Sequence, residues 1–249
     1  MTATALRIVV VYPDLLGTYG DGGNGLILAK RAEWRGTEVT LTEATSDAPL
    51  PEADLYTLGG GEDGPQVRAA RSLLDDGTLA RRVAQGAVVL AVCAGYQIVG
   101  RTFPGADGSA HDGVGLLDLT TVKGKGPRAV GEVVADSPLV PTITGFENHG
   151  GRTTLGAGVA PLATVTRGIG NGDGSGTEGA VTGRVLGTYL HGPVLARNPA
   201  LADLLLSWAL DIEPATLGAL DDAAAESLRD QRLGAVGRTS RRRRVGRRS

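Results

Sequence analysis

Short apolar runs alternate with amphipathic stretches over the first hundred residues. Leu6–Tyr12, Glu38–Leu41, Leu55–Leu58 and Val88–Val92 read as strands, the last an unbroken β-branched run of the kind buried on both faces of a parallel sheet. Between them the apolar spacing predicts helices over Gly25–Trp34, Pro65–Asp75 and Leu79–Gln85, and another just after Cys93. Beyond Gly113 the pattern turns β-rich, with strands expected over Val114–Val122, Ala129–Val134, Thr142–Phe146, Leu162–Val165 and Arg184–Leu190, and a helix over Pro199–Leu210. Early alternation and late strands predict an α/β fold with a mainly parallel sheet and an antiparallel extension. Gly168–Gly179 reads as a flexible glycine-rich loop. No internal repeat is visible. The elements occupy residues 1–212 as one domain, followed by an extension over residues 213–237 and a tail over residues 238–249.

Composition adds size and setting. The chain has 249 residues, 41% of them hydrophobic and 4% aromatic, enough for one sizeable core packed from small aliphatics. No run approaches the roughly 18–20 apolar residues of a membrane span, and the amino terminus does not resemble a secretion signal. A cytoplasmic protein is expected. The single cysteine excludes an internal disulfide and suits a reducing compartment. The tail holds seven arginines and no acid, so its +7 within a total of −2 leaves the first 237 residues at −9. Such a segment is expected to be disordered and weakly drawn to anionic surfaces such as the inner face of the membrane. An aromatic-rich basic face is absent from the rest, which argues against specific nucleic-acid recognition.

Candidate chemistry centres on Cys93. Ala91, Ala94 and Gly95 leave little bulk around it, as a tight strand-to-helix turn requires, and such a turn aims the first helical amides at the sulfur. A buried structural cysteine is the plain alternative. Gly59-Gly60-Gly61, ending the Leu55–Leu58 strand, supplies bare amides that could join Ala94 N–H as an oxyanion hole, with Gly60 or Gly61 as the second donor. Three histidines are available as the base. His111 lies in a Gly/Asp/Ser-rich stretch that reads as solvated loop. His191 ends a strand before Gly192-Pro193, a position matching that of Cys93, while His149, in a polar glycine-flanked loop, is the reserve and could contact substrate.

Several blocks together carry a family resemblance: Tyr12-Pro13-Asp14-Leu15-Leu16 through Tyr19-Gly20-Asp21-Gly22-Gly23-Asn24, Gly59 to Asp63, Cys93-Ala94-Gly95-Tyr96-Gln97, Gly145 to Arg152, and Tyr189-Leu190-His191-Gly192-Pro193. In this order they resemble the class I glutamine amidotransferases of the cobyric acid synthase-like branch, and within it the GatD-type glutaminase subunits of lipid II isoglutaminyl synthase. The resemblance implies a single flavodoxin-like amidotransferase domain in which Cys93 attacks the side-chain amide of L-glutamine and His191 moves the protons. It also implies that Gln97 and Gly61 help seat the substrate and that Arg128 pairs with its α-carboxylate. The implied partner is a MurT-type ligase, forming a heterodimer that amidates D-glutamate in the lipid II stem peptide. ATP and magnesium would be used by that partner, with no cofactor or metal in this chain.

Two departures bear on the chemistry. Many class I members carry glycine two residues before the cysteine and glutamate two residues after the histidine, where this chain has Ala91 and Pro193. Proline cannot accept a bond from the imidazole. The expectation is therefore a Cys–His dyad whose orienting carboxylate comes from another chain. A glutaminase serving cobyrinate or another acceptor, a standalone cysteine hydrolase and an idle regulatory subunit stay open at this point.

Overall fold

The computed structural model describes residues 5–245 of the chain, with side chains through residue 234. The first half runs β1 (Leu6–Val11), α1 (Gly23–Glu33), β2 (Val39–Ala44), β3 (Leu55–Leu58), α2 (Asp63–Asp76), α3 (Thr78–Ala84), β4 (Val88–Val92) and α4 (Ala94–Ile98). Then follow β5 (Thr102–Pro104), β6 (Ala110–Asp112), β7 (Leu119–Lys123), β8 (Ala129–Asp136), β9 (Ile143–His149), β10 (Gly151–Leu155), β11 (Ala163–Arg167), β12 (Thr177–Glu178) and β13 (Ala180–Thr182). The chain continues through β14 (Val185–Thr188), β15 (Leu190–His191), α5 (Val194–Arg197), α6 (Pro199–Leu210) and α7 (Ala223–Val245).

Six strands form the main sheet in the order β13-β14-β4-β3-β1-β2, parallel except for β13. Every residue of β3, β4 and β14 is buried, which is why these runs are mostly apolar rather than alternating, with Thr57 and Thr188 the polar members. The antiparallel part is not a simple extension of this sheet. It forms two smaller sheets, β10-β7-β5-β6 and β12-β11-β8-β9-β15. The predicted Arg184–Leu190 strand divides at Tyr189 because β14 pairs with β4 in the main sheet while β15 pairs with β9 in another. Chain crossing between sheets thus ends in a two-residue strand bearing His191.

Three further expectations are corrected. The Gly168–Gly179 loop is tied down: Glu147 accepts the Ile169 and Gly170 amides at 2.8 and 2.9 Å, and Asn171 is fully buried. His149 is not on a loop but ends β9, buried, because that strand runs three residues beyond the predicted Phe146. Finally, α7 takes in residues 238–245 of the segment for which disorder is expected, in a stretch rich in helix-favouring arginine and free of proline; residues 246–249 lie outside the described residues. The start of the extension is clamped to the domain by Arg31, which pairs with Asp203 on α6 and with Asp222 just before α7, both at 2.6–2.8 Å. No described helix is long and apolar enough to cross a membrane.

Candidate active site

Sheet order assembles the site from distant segments. β1, β3, β4 and β14 are parallel neighbours, so the residues following them emerge at one edge: Asp21 after β1, Gly60 and Gly61 after β3, Cys93 after β4 and His191 after β14. Open α/β sheets bind ligands there, outside the carboxyl ends of the strands.

Cys93 occupies the strand-to-helix turn with φ 52° and ψ −101°. A non-glycine residue in the left-handed half of conformational space costs on the order of 1–3 kcal/mol, held by the surrounding packing. Its amide is fixed by the Thr188 carbonyl at 2.8 Å and the next turn by a bond from Gly95 N–H to Gly59 O at 3.0 Å. The side chain is at the edge of burial, 9% exposed, and opens into a cleft.

His191 Nδ1 lies 2.8 Å from Asp21 Oδ2. Both side chains are buried, and the same carboxylate accepts Gly60 N–H at 2.9 Å and Gly192 N–H at 3.2 Å. The orienting carboxylate is therefore within this chain, which corrects the expectation that another chain supplies it. Burial opposes charge on the imidazole, but the bond to Asp21 and then the nearness of Cys93 outweigh it, raising the His191 pKa from 6.5 to about 10. Its other nitrogen, Nε2, is buried without a hydrogen-bond partner. Asn24 completes the motif by accepting Leu195 N–H at 3.1 Å, which fixes the chain beyond Pro193. Asp21 stands in the Tyr19-to-Asn24 block, and nothing in the sequence pattern there assigns it to His191. A carboxylate among glycines before a helix was the available signal.

Gly60, expected as an oxyanion donor, is engaged otherwise, since Asp21 takes its amide. It must be glycine all the same, because a Cβ would come within 2.6 Å of the His191 ring. The amides of Gly61 and Ala94 have no acceptor among the described residues. Both residues line the Cys93 cleft, together with Gln97, Arg128 and His149. Counting its open mouth and the solvent in it, the cleft measures about 540 Å³.

The expected substrate residues differ in character. Arg128 is exposed on the rim, held by Asn148 and paired with no acid among the described residues. Gln97 is buried, accepting from Gln66 Nε2 at 2.9 Å and donating to the Tyr189 hydroxyl at 3.2 Å. His149 stacks on Tyr189 with ring centroids 3.6 Å apart and has Nδ1 3.0 Å from the Gly151 carbonyl. Tyr189 and Gln66, not singled out from the sequence, thus hold the floor of the cleft. No cluster of three or more His, Cys, Asp or Glu is placed to hold a metal among the described residues.

The chain is similar to several known proteins. Residues 7–199 match the family model of the CobB/CobQ-like glutamine amidotransferase domain. The chain is 39% identical over 209 residues to the protein named lipid II isoglutaminyl synthase (glutamine-hydrolyzing) subunit GatD of Staphylococcus aureus strain N315, covering 83% of this chain and 85% of that one. It is 35% identical over 209 residues to the protein of the same name from Streptococcus pneumoniae strain ATCC BAA-255 / R6, covering 82% and 80%. A solved glutamine amidotransferase superposes with a TM-score of 0.57 at 18% identity, over 81% of this chain and 98% of that one, a likeness of fold.

Proposed function

The chain belongs to the CobB/CobQ-like glutamine amidotransferase family, and on that premise we propose that it is the glutamine-hydrolysing subunit of a lipid II isoglutaminyl synthase. What carries the reading is the convergence of Cys93, His191 and Asp21 at the carboxyl ends of adjacent parallel strands, with Asp21 2.8 Å from His191.

In this reading the Cys93 thiol proton resides on His191 before attack, the Sγ thiolate attacks the side-chain carbonyl carbon of glutamine, and the oxyanion that forms is held by the Gly61 and Ala94 amides. His191, which keeps its proton up to about pH 10, donates it to the amide nitrogen as the C–N bond breaks, and ammonia leaves. Water then attacks the glutamyl thioester, giving up a proton to His191, and the C–S bond breaks to release glutamate. Asp21 holds the imidazole with Nε2 turned away from it. Arg128 pairs with the α-carboxylate, and Gln97 and His149 form the wall beside the substrate.

Ammonia released into water at neutral pH is protonated and lost as a nucleophile, so a glutaminase of this kind works docked to the enzyme that consumes its product. The two GatD relatives are named as subunits of a synthase. We assign this chain the same place, in a heterodimer with a MurT-type ligase that spends ATP with magnesium to activate D-glutamate in the lipid II stem peptide. That substrate places the complex in the cytoplasm at the inner face of the membrane, with residues 238–249 adding weak attraction to anionic lipid. The test is glutamate release from glutamine by the chain alone and with the ligase. Activity should rise with the ligase and vanish in Cys93→Ala; equal release by wild type and Cys93→Ala would sink the reading.

A further inference from the structure

Two blocks of the sequence meet at the rim of the cleft, and the proposed chemistry uses only part of each. Tyr19, from the segment that carries Asp21, lies against His191 with ring centroids 4.7 Å apart and planes inclined at 56°. It has φ 60°, so the backbone is held in a left-handed turn that places a half-exposed aromatic ring over a histidine that is itself 1% exposed. Its hydroxyl oxygen accepts a hydrogen bond from Asn148 Nδ2, in the block that ends in His149. The carboxamide of Asn148 is oriented from its other side: Oδ1 accepts Arg128 Nε at 3.1 Å, and the Asn148 main-chain carbonyl accepts Arg128 Nη2 at 3.0 Å. Nη1 makes no hydrogen bond among the described residues and remains for a ligand.

An unbroken strap therefore runs from the cation on the rim to the cover of the buried histidine. Resting on the glutaminase reading, we infer that Tyr19 and Asn148 are positioning residues that couple capture of the substrate's α-carboxylate at Arg128 to the setting of His191. A carboxylate that draws on the guanidinium fixes the Asn148 carboxamide, which fixes the Tyr19 ring, which closes His191 from water on its solvent side. Recognition at the α-carbon is then felt at the reacting amide several bonds away, the way remote binding energy reaches the chemical step rather than adding to affinity alone. The site accordingly selects amides of α-amino acids by rate as well as by binding.

The experiment follows inactivation of the full chain by two chloroketones that alkylate Cys93, the C–S bond forming as chloride leaves. One carries the α-amino and α-carboxylate groups of glutamine; its twin lacks the carboxylate. In the wild type the carboxylate should raise the maximal inactivation rate, not only tighten half-saturation. Asn148→Ala and Tyr19→Phe should lower that maximal rate ten- to hundredfold for the first reagent and leave the twin unchanged. Tyr19→Phe keeps the ring, so misfolding is not an explanation for its effect. Equal slowing of both reagents would assign the strap a merely structural role, and a change in half-saturation alone would show that Arg128 binds without coupling; either overturns the inference. Loss of the glutaminase reading shows separately, as a wild type that releases no glutamate with its ligase.

Discussion

His191 is held from Nδ1 by a carboxylate that is fully occupied: Oδ2 of Asp21 takes the ring and the Gly60 amide, and Oδ1 takes the Gly192 amide. Asparagine offers one acceptor where three donors converge, so Asp21→Asn must turn an NH₂ group toward a donor or release the ring. We expect kcat for glutamate release to fall on the order of 10³–10⁴-fold, as when a triad aspartate is lost elsewhere. The sign of the pH effect follows from the same bond. Burial lowers the His191 pKa, and Asp21 is the largest of the groups that raise it to about 10; without the carboxylate the proton is lost at lower pH. A pH–rate profile of residual activity should therefore show its alkaline limb moved downward. Cys93, by contrast, was legible from neighbours in sequence, because the strand before it and the small residues around it are local features. His149 was misplaced because a polar, glycine-flanked residue carries no local sign of strand, while pairing with Ala129 of β8 and stacking on Tyr189 make it a buried strand end.

Element packing explains why small residues sit where the site is built. α4 presents Ala94 and Gln97 to the cleft, and its Tyr96 lies flat enough on β14 that a Cβ at Gly187 would fall 2.0 Å from the ring. Tyr96 has no room to withdraw: it is fully buried, meets Tyr189 edge-on at 5.1 Å and donates its hydroxyl proton to Asn171 at 3.1 Å. Gly187→Ala should thus destabilise the fold by about 1–3 kcal/mol and lower glutaminase activity, because the strain is delivered to α4. Urea denaturation measures the first and glutamate release the second. Gly64→Ala on α2, where a Cβ meets nothing within 4 Å, is the matched control and should be neutral or gain up to about 1 kcal/mol rather than lose stability.

Across the whole molecule, the main sheet and the five-stranded sheet are joined where the chain passes from β14 to β15, and Glu178 grips that passage. Its Oε1 accepts the Thr188 hydroxyl and, at 2.9 Å, the Tyr189 amide. Burial raises its pKa from 4.5 to about 7, with Glu147 adding to the rise against the hydrogen bonds that favour the anion. The folded protein therefore holds this proton more tightly than the unfolded chain. The stability it contributes is full below pH 4.5 and is lost as pH rises through 7, about 3 kcal/mol at most. Glu178→Gln removes that proton linkage, so unfolding free energies at pH 5 and pH 8.5 should differ by less in the variant than in the wild type. What the sequence by itself determined was the strands and helices of the main sheet and the placing of Cys93 and His191 after two of its strands, because strand runs, a crowded turn and strand-ending glycines are written within a few residues of each other; short strands such as β5, β6 and β10 carry no such local pattern. Only the tertiary structure decided that Asp21 serves His191, that Gly61 and not Gly60 has its amide free, and that Tyr19 reaches Arg128 through Asn148. Those contacts join residues up to 170 positions apart, and which of them form depends on the order of strands in the sheet, a property no local pattern encodes.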